Sequence, residues 1–298
     1  MTGPQWNRGF AYREQVGAHA AGRTVLDHLT ARHRHSTEDE WRARIAAGEL
    51  LLDGAVARPG DILAIGQSLV RHRPPWLEPA APVGFAVLHR DPSVLAVAKP
   101  SGLATLPGGG FLEHTLLHCV RRRWPAASPL HRLGRGTSGL MLLSLSSQAH
   151  RRLSADWRAG RVDKTYRALV SGVPLRDEFS VDVPIGSAPH PRLGHVHAAQ
   201  PGGKAALSHV RVLDRRDENA LVEVRIPTGR PHQIRIHLAA AGHPLVGDPV
   251  YAPGGGLLPE PGLPGDLGYR LHSWRLAFDH PISRRRVELE CPPPPVLR

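Results

Sequence analysis

Lysine is almost absent from this 298-residue chain: only Lys99, Lys164 and Lys204 occur, although Lys and Arg together number 38. Cysteine is as scarce, and Cys119 and Cys291 lie far apart, which excludes a disulfide framework and a paired-cysteine zinc site. No apolar run approaches the roughly 18 residues of a membrane-spanning helix, so no membrane partner is expected. The opening residues, Met1 to Gln15, lack the apolar centre of a signal peptide, and a cytoplasmic location is expected. Phosphate-loop and metal motifs, which a DNA- or nucleotide-processing enzyme would need, are missing too. His190, His195 and His197 sit among Pro and Gly with no acid or cysteine arranged beside them, so no metal site is assigned.

What is present is positive charge. Basic residues exceed the 26 acidic ones to give a net charge of +12, which favours a polyanion such as nucleic acid. Heavy use of Ala, Gly and Pro points to a compositional bias that explains Arg over Lys, but not the surplus over acids. The densest functional signal is His131-Arg132-Leu133-Gly134-Arg135-Gly136-Thr137-Ser138-Gly139, running into the apolar Leu140 to Leu143. Three glycines in six residues allow positive φ and close approach to a ligand, and the flanking His and Arg side chains supply donors.

Along the chain, residues 1–20 read as a polar lead with Trp6, Phe10 and Tyr12, an extended arm packing on the body. A small module follows over 21–72. Val25, Leu26 and Leu29 share a helical face, and Thr37 and Glu40 have capping-box spacing before Trp41 and Ile45. Leu50 to Leu52 meet the turn Asp53-Gly54, with a second strand expected at Ile62 to Ile65. Residues 73–84 form a proline-rich linker. The large domain, 85–298, opens with two strands ending at Lys99-Pro100-Ser101-Gly102. Ser147 to Gly160 reads as a helix and Val162 to Val170 as an alternating strand. Residues 171–207 read as loop-rich, and 208–213 with 221–226 as a hairpin. Thr228 to Leu238 reads as a helix start with Pro231 in its first turn, and Gly242 ends the helix. Donors at such a start, beside Arg230 and Arg235, suit an anion. A loop over 252–267 and a closing hairpin, 271–278 with 286–291, complete the chain.

Several of these segments, in this order, resemble the RluA-type pseudouridine synthases. The central pattern of that family is His-Arg-Leu-Asp-x-x-Thr-Ser-Gly-Leu, matched from His131 except that Gly134 replaces the family's catalytic aspartate. Lys99-Pro100-Ser101-Gly102 is similar to the first family motif. Lys164-Thr165-Tyr166-Arg167-Ala168-Leu169-Val170 matches the tyrosine segment, and Gly229-Arg230-Pro231-His232-Gln233-Ile234-Arg235-Ile236-His237-Leu238 the third motif.

The resemblance implies an α+β fold: a mixed, largely antiparallel sheet preceded by a small helix-helix-hairpin RNA-binding module of ribosomal-protein type. In that module Arg32, Arg34, Arg42 and Arg44 would face phosphates. The implied reaction turns uridine in RNA, ribosomal RNA above all, into pseudouridine through base flipping, without a cofactor and in a monomer. Tyr166 would stack on the uracil, Arg132 would take the vacated place in the RNA, and Arg235 would lie in the catalytic pocket. His131, Arg135, Thr137, Lys164, Arg230, His232 and Gln233 would hold RNA. In the family the aspartate acts as nucleophile or base towards the sugar, and Gly134 supplies neither. Asp163 and Asp248 are the nearby carboxylates, though Asp163 should face away from Lys164 and Tyr166. The alternative is a catalytically silent RNA-binding relative, a structural or chaperone-like partner of ribosomal RNA.

Overall fold

The computed structural model describes residues 2–33 and 36–298, so Arg34 lies outside the described residues. The chain divides into two compact units: Gln5–Glu78, and a larger one of Pro79–Arg298 with residues 2–4. The division falls within the proline-rich stretch.

The smaller unit runs β1 (Gln5–Trp6), β2 (Phe10–Gln15), α1 (Val25–Arg32), α2 (Glu38–Ala46), β3 (Leu50–Leu52), β4 (Ala55–Val56), β5 (Ser68–Arg73) and β6 (Leu77–Glu78). Both helices begin on side-chain caps. Thr24 accepts from the Asp27 amide at 3.0 Å, and Thr37 and Glu40 close a reciprocal capping box. Their apolar faces bury Val25, Leu26 and Leu29 with Trp41, Ile45 and Leu50.

Two expectations fail here. Residues 10–15 are no arm: β2 pairs with β5 along its whole length, and Val16 and Ala20 are buried. The main partner of β3 is β5, not Ile62 to Ile65, which lie in irregular chain with both isoleucines exposed. Leu69 and Val70 give β5 its buried residues, inside a charged segment that hides them from a pattern search. Arg32 pairs with Glu14 at 3.5 Å and Arg42 with Glu38 at 2.7 Å. Arg44 donates to Ser36 at 2.8 Å, and its guanidinium lies over Trp41.

In the larger unit the strands are β7 (Ala86–Arg90), β8 (Val94–Lys99), β9 (Ser128–Pro129), β10 (Ser138–Ser144), β11 (Asp163–Ser171) and β12 (Glu178–Val181). They continue with β13 (Ile185–His190), β14 (Gly194–Ala199), β15 (Ser208–Arg215), β16 (Asn219–Arg225), β17 (Leu271–Asp279) and β18 (Arg286–Glu290). Ten of them form one sheet, with the path β12-β15-β16-β11-β17-β10-β8-β7, β18 on β17 and β9 on β10. All pairings are antiparallel except β10 with β17, where Ser138 and Gly139 meet His272 and Ser273 in parallel. β8 and β10 are near-continuous apolar runs because helices and loops cover both faces. β13 and β14 form a separate hairpin, which corrects the reading of 171–207 as loop-rich. Its Gly, Pro and His residues carry little strand signal.

Three helices flank the sheet: α3 (Leu116–Arg121), α4 (Ser147–Arg158) and α5 (Gln233–Ala240). α4 buries Ala149 and Leu153, as its four-residue spacing predicts, and Gly160 follows it at φ +71°. α5 is buried all round, with Gln233 to Ala239 inaccessible. It starts later than expected: Pro231 precedes it, and its N-cap is His232 in the left-handed region at φ +55°. Lys99 is a structural peg. Its ammonium donates to the carbonyls of Pro100 (2.9 Å), Leu103 (2.7 Å) and Arg135 (3.3 Å), tying the end of β8 to the glycine-rich turn.

Candidate active site

The glycine-rich turn 131–137, the start of β11 and the turn before α5 converge on one cavity of about 590 Å³, within the range of small-ligand sites. A smaller recess of about 100 Å³ shares Arg132, Gly134, Tyr166, Arg230 and His232 with it, and adds Thr137, Arg235 and Tyr269. Alternation along β11 turns Lys164 and Tyr166 towards the cavity and Asp163 away. Asp163 instead pairs with Arg225 at 2.8 Å and with Arg286. A bulge in β17, opposite the step from Thr165 to Tyr166, accompanies this aim.

The expected site residues divide into those open to a ligand and those spent on the fold. Arg132 is exposed, with no hydrogen bond or ion pair among the described residues. Lys164 is only 4% exposed, yet its ammonium has no ion pair among the described residues, and it lies 5.8 Å from the centre of the Trp157 ring. Burial lowers its pKa. Tyr166 is buried, and burial pushes its hydroxyl up to about 12, so the ring stays neutral. Arg135 and Arg230 stand at the rim and donate to the carbonyls of Gly265 (2.7 Å) and Ala205 (2.9 Å).

Gln233 is no free RNA contact. Its carbonyl accepts from Thr228 and the Arg230 amide, and its amide donates to Leu207 and Ser208. His131 stacks on Trp157 at 4.5 Å, and its Nε2 accepts from the Leu142 amide at 3.0 Å. That makes it a pin between the turn and β10. Thr137 lies against the Tyr269 hydroxyl at 3.3 Å. The Tyr251 hydroxyl donates to the His197 carbonyl, so Nδ1 of His232, 2.6 Å away, carries a proton and donates to that hydroxyl. Nε2 of His232 is then the basic nitrogen.

Arg235 is held in place by a buried pair. Its Nε and Nη2 both meet Asp248 at 2.7 Å, and its Nη1 donates to Pro264 at 3.0 Å. Asp248 also accepts from the Val250 and Tyr251 amides, so neither carboxylate near the motifs is available to a substrate. Among the described residues lining both cavities there is no Asp, Glu or Cys. The site is strongly cationic.

Sequence reasoning missed Tyr269, Trp157 as a wall, and Pro264 and Gly265 at the rim. It also misassigned the glycines: of the three in the turn only Gly139 has positive φ, at +110°. Gly139 is required twice over, since a Cβ there would meet the Ser273 backbone at 2.2 Å.

Burial, with Lys164 adding, holds His131 down to about 3. Burial, with Arg235 and other neighbours, does the same for His232. Between pH 6.5 and 3 the unfolded chain therefore binds protons that the folded chain does not, so stability rises with pH across that window. The unfolding temperature should fall on acidification below pH 6.5. His131→Gln, which keeps an acceptor for Leu142, should flatten that fall; an unchanged slope would contradict the assignment.

This fold and this site define a class. The family model for RNA pseudouridylate synthase matches residues 93–240, which include the glycine-rich turn, β11 and the whole of α5. An uncharacterized RNA pseudouridine synthase of Synechocystis sp. is 44% identical over 276 residues, covering 92% of this chain and 95% of its own length. RNA pseudouridine synthase 5 of Arabidopsis thaliana is 34% identical, covering 99% and 95%. Ribosomal large subunit pseudouridine synthase D of Pseudomonas aeruginosa is also 34% identical, covering 90% and 88%. The structure of human RNA pseudouridylate synthase domain containing 1 aligns with a TM-score of 0.59 at 25% identity, over 74% of this chain and 89% of that one. The chain belongs to the RluA-type RNA pseudouridine synthase family.

Proposed function

We propose that this chain converts uridine to pseudouridine in RNA, with ribosomal RNA as its substrate, and that the 590 Å³ cavity receives the extruded base. The observation that carries this reading is the convergence of Tyr166, Lys164 and Arg132 on one cavity. Extrusion costs a few kcal/mol of lost stacking and pairing. The Tyr166 ring offers a stacking face, and the exposed, unpaired Arg132 is free to fill the gap left in the RNA. Lys164, Arg135 and Arg230 offer cations to the phosphates on either side. The glycosidic bond then breaks, the uracil turns, and its carbon 5 bonds to the ribose. Product and substrate are isomers, so the atoms balance without a cofactor.

Ribosomal RNA is chosen because a relative at 34% identity is named for the large ribosomal subunit. For the smaller unit we take RNA contact as its role, with its unpaired rather than its ion-paired cations in contact. Among the described residues no helix is long and apolar enough to cross a membrane, and a cytoplasmic site of action accords with an RNA substrate. One observation favours a second reading, a silent RNA-binding relative: the absence of a carboxylate from the described cavity walls.

Chemical mapping of pseudouridine in cellular RNA, with and without the gene, separates the two. The proposal expects one or a few positions in ribosomal RNA to lose the modification on deletion. An unchanged map with RNA binding retained would leave the silent reading standing. Loss confined to transfer RNA would overturn only the choice of substrate.

A further inference from the structure

What stands in the carboxylate's place is the side chain of Tyr269. A Cβ built on Gly134 would meet the Tyr269 hydroxyl oxygen at 2.7 Å. In an aspartate the carboxylate oxygens lie about 2.4 Å from Cβ, as its bond lengths dictate, so this hydroxyl occupies the reach of an aspartate at 134. A Cβ on Gly136 would meet the same ring at 2.8 and 2.9 Å. Neither glycine has a positive φ, so the backbone does not require glycine at either position. Space does. Gly134, Gly136 and Tyr269 are one device, in which two side chains are given up to admit a tyrosine.

The hydroxyl is placed for chemistry. Tyr269 is 3% exposed and lines the small recess with Tyr166, Arg132, His232 and Arg235. Thr137 is its hydrogen-bond neighbour, and the Arg235 guanidinium lies 4.3 Å from its ring centre. The charged and titratable groups facing it are Arg235, Arg132, Arg230, His232, Tyr166 and Tyr251, with Asp248 neutralised behind Arg235. The other candidates are weaker: Tyr166 keeps its proton, and the acceptor nitrogen of His131 is already taken by Leu142.

Resting on the reading above, we infer that the Tyr269 hydroxyl is the catalytic group of this chain, acting as the base that the family's aspartate provides. With its proton lost to solvent, the oxygen takes the proton from ribose carbon 2′. The electrons of that bond form a double bond to carbon 1′ as the bond to uracil nitrogen 1 leaves with its pair. After the uracil turns, carbon 5 attacks carbon 1′, the double-bond pair recovers the proton from Tyr269, and the phenolate is regenerated. Carbon 5 loses its hydrogen to water and nitrogen 1 gains one, so the sum is an isomerisation.

The test uses the full chain in single turnover on unmodified RNA carrying the mapped site. Tyr269→Phe keeps the ring beside Arg235 and should lower the rate about 10²- to 10⁴-fold, the usual contribution of a general base, with RNA affinity unchanged. With the hydroxyl gone, only the Thr137 oxygen, at 3.5 Å, remains within 4 Å of a Cβ at 134. The double variant Gly134→Asp/Tyr269→Phe should therefore regain activity, while Gly134→Asp alone should not. The pH profile is the sharper readout. The wild-type rate should keep rising with pH at values where the carboxylate of the double variant has already levelled off. Full activity in Tyr269→Phe would overturn the inference and leave the proposed function intact. So would loss of the rate in His232→Gln with a pH profile that Tyr269→Phe does not alter. A wild-type chain without activity on that RNA would instead sink the proposed function.

Discussion

Asp248→Asn is expected to destabilise the larger unit by about 3–5 kcal/mol, the usual cost of leaving a buried charge without its partner. Both side chains of the pair are out of solvent, Arg235 at 3% and Asp248 at 1% exposure. Burial alone would lower the Arg235 pKa, yet its two bonds to Asp248 more than offset this, and the net shift is upward. Asparagine has one acceptor oxygen for two guanidinium donors and carries no charge, so the cation stays buried and uncompensated. The cost extends beyond stability. Arg235 also donates to Pro264, which anchors the loop at the cavity rim, and it flanks the rings of Tyr251 and Tyr269. Chemical unfolding of wild type, Asp248→Asn, Arg235→Met and the double variant Arg235→Met/Asp248→Leu measures the effect. The apolar double variant should recover most of the loss. A loss below about 1 kcal/mol in the single variants would mean that the pair is solvated in solution.

Tyr166→Leu should lower the isomerisation rate about 10- to 100-fold, in line with the 1–3 kcal/mol that base–aromatic stacking contributes. Leucine fills the space of the ring only in part and offers no flat face to a uracil outside its stack. The loss should appear in the rate at saturating RNA more than in affinity, because the phosphate contacts proposed for Arg135, Arg230 and Lys164 do not depend on residue 166. Single-turnover assays with titrated RNA separate the two quantities. A variant that weakened RNA binding tenfold but left the saturated rate intact would move Tyr166 from the base to the backbone of the RNA.

Much of this architecture was legible because its causes are local. The Thr37 and Glu40 capping box, the Ala149 and Leu153 face of α4, and the alternation of β11 each follow from spacing within a few residues. Alternation alone put Lys164 and Tyr166 together and set Asp163 apart. What escaped is non-local or conformational. Nothing near residue 134 announces that Tyr269 fills the space beside it, since the contact joins two distant segments. Positive φ at His232 cannot be read from the residue type, which is why Pro231 was placed inside the helix. The β13–β14 hairpin went unread because backbone pairing holds it, without a run of β-branched residues. The motif around Gln233 suggests an RNA contact, yet four hydrogen bonds, two of them to the distant Leu207 and Ser208, use up its amide. Motifs mark positions. They do not say whether a side chain faces the ligand or the fold.

The central claim is that the cavity between the glycine-rich turn and the start of α5 takes a single uracil beside Tyr166 and rebuilds its bond to the ribose. Bonding at carbon 5 expels the hydrogen held there, so tritium placed at carbon 5 of uridine reports the reaction directly. Unmodified ribosomal RNA transcribed with such uridine, incubated with the full chain, should release tritium to water until a plateau of one or a few equivalents per RNA. Stable binding of that RNA with no tritium released would contradict the account.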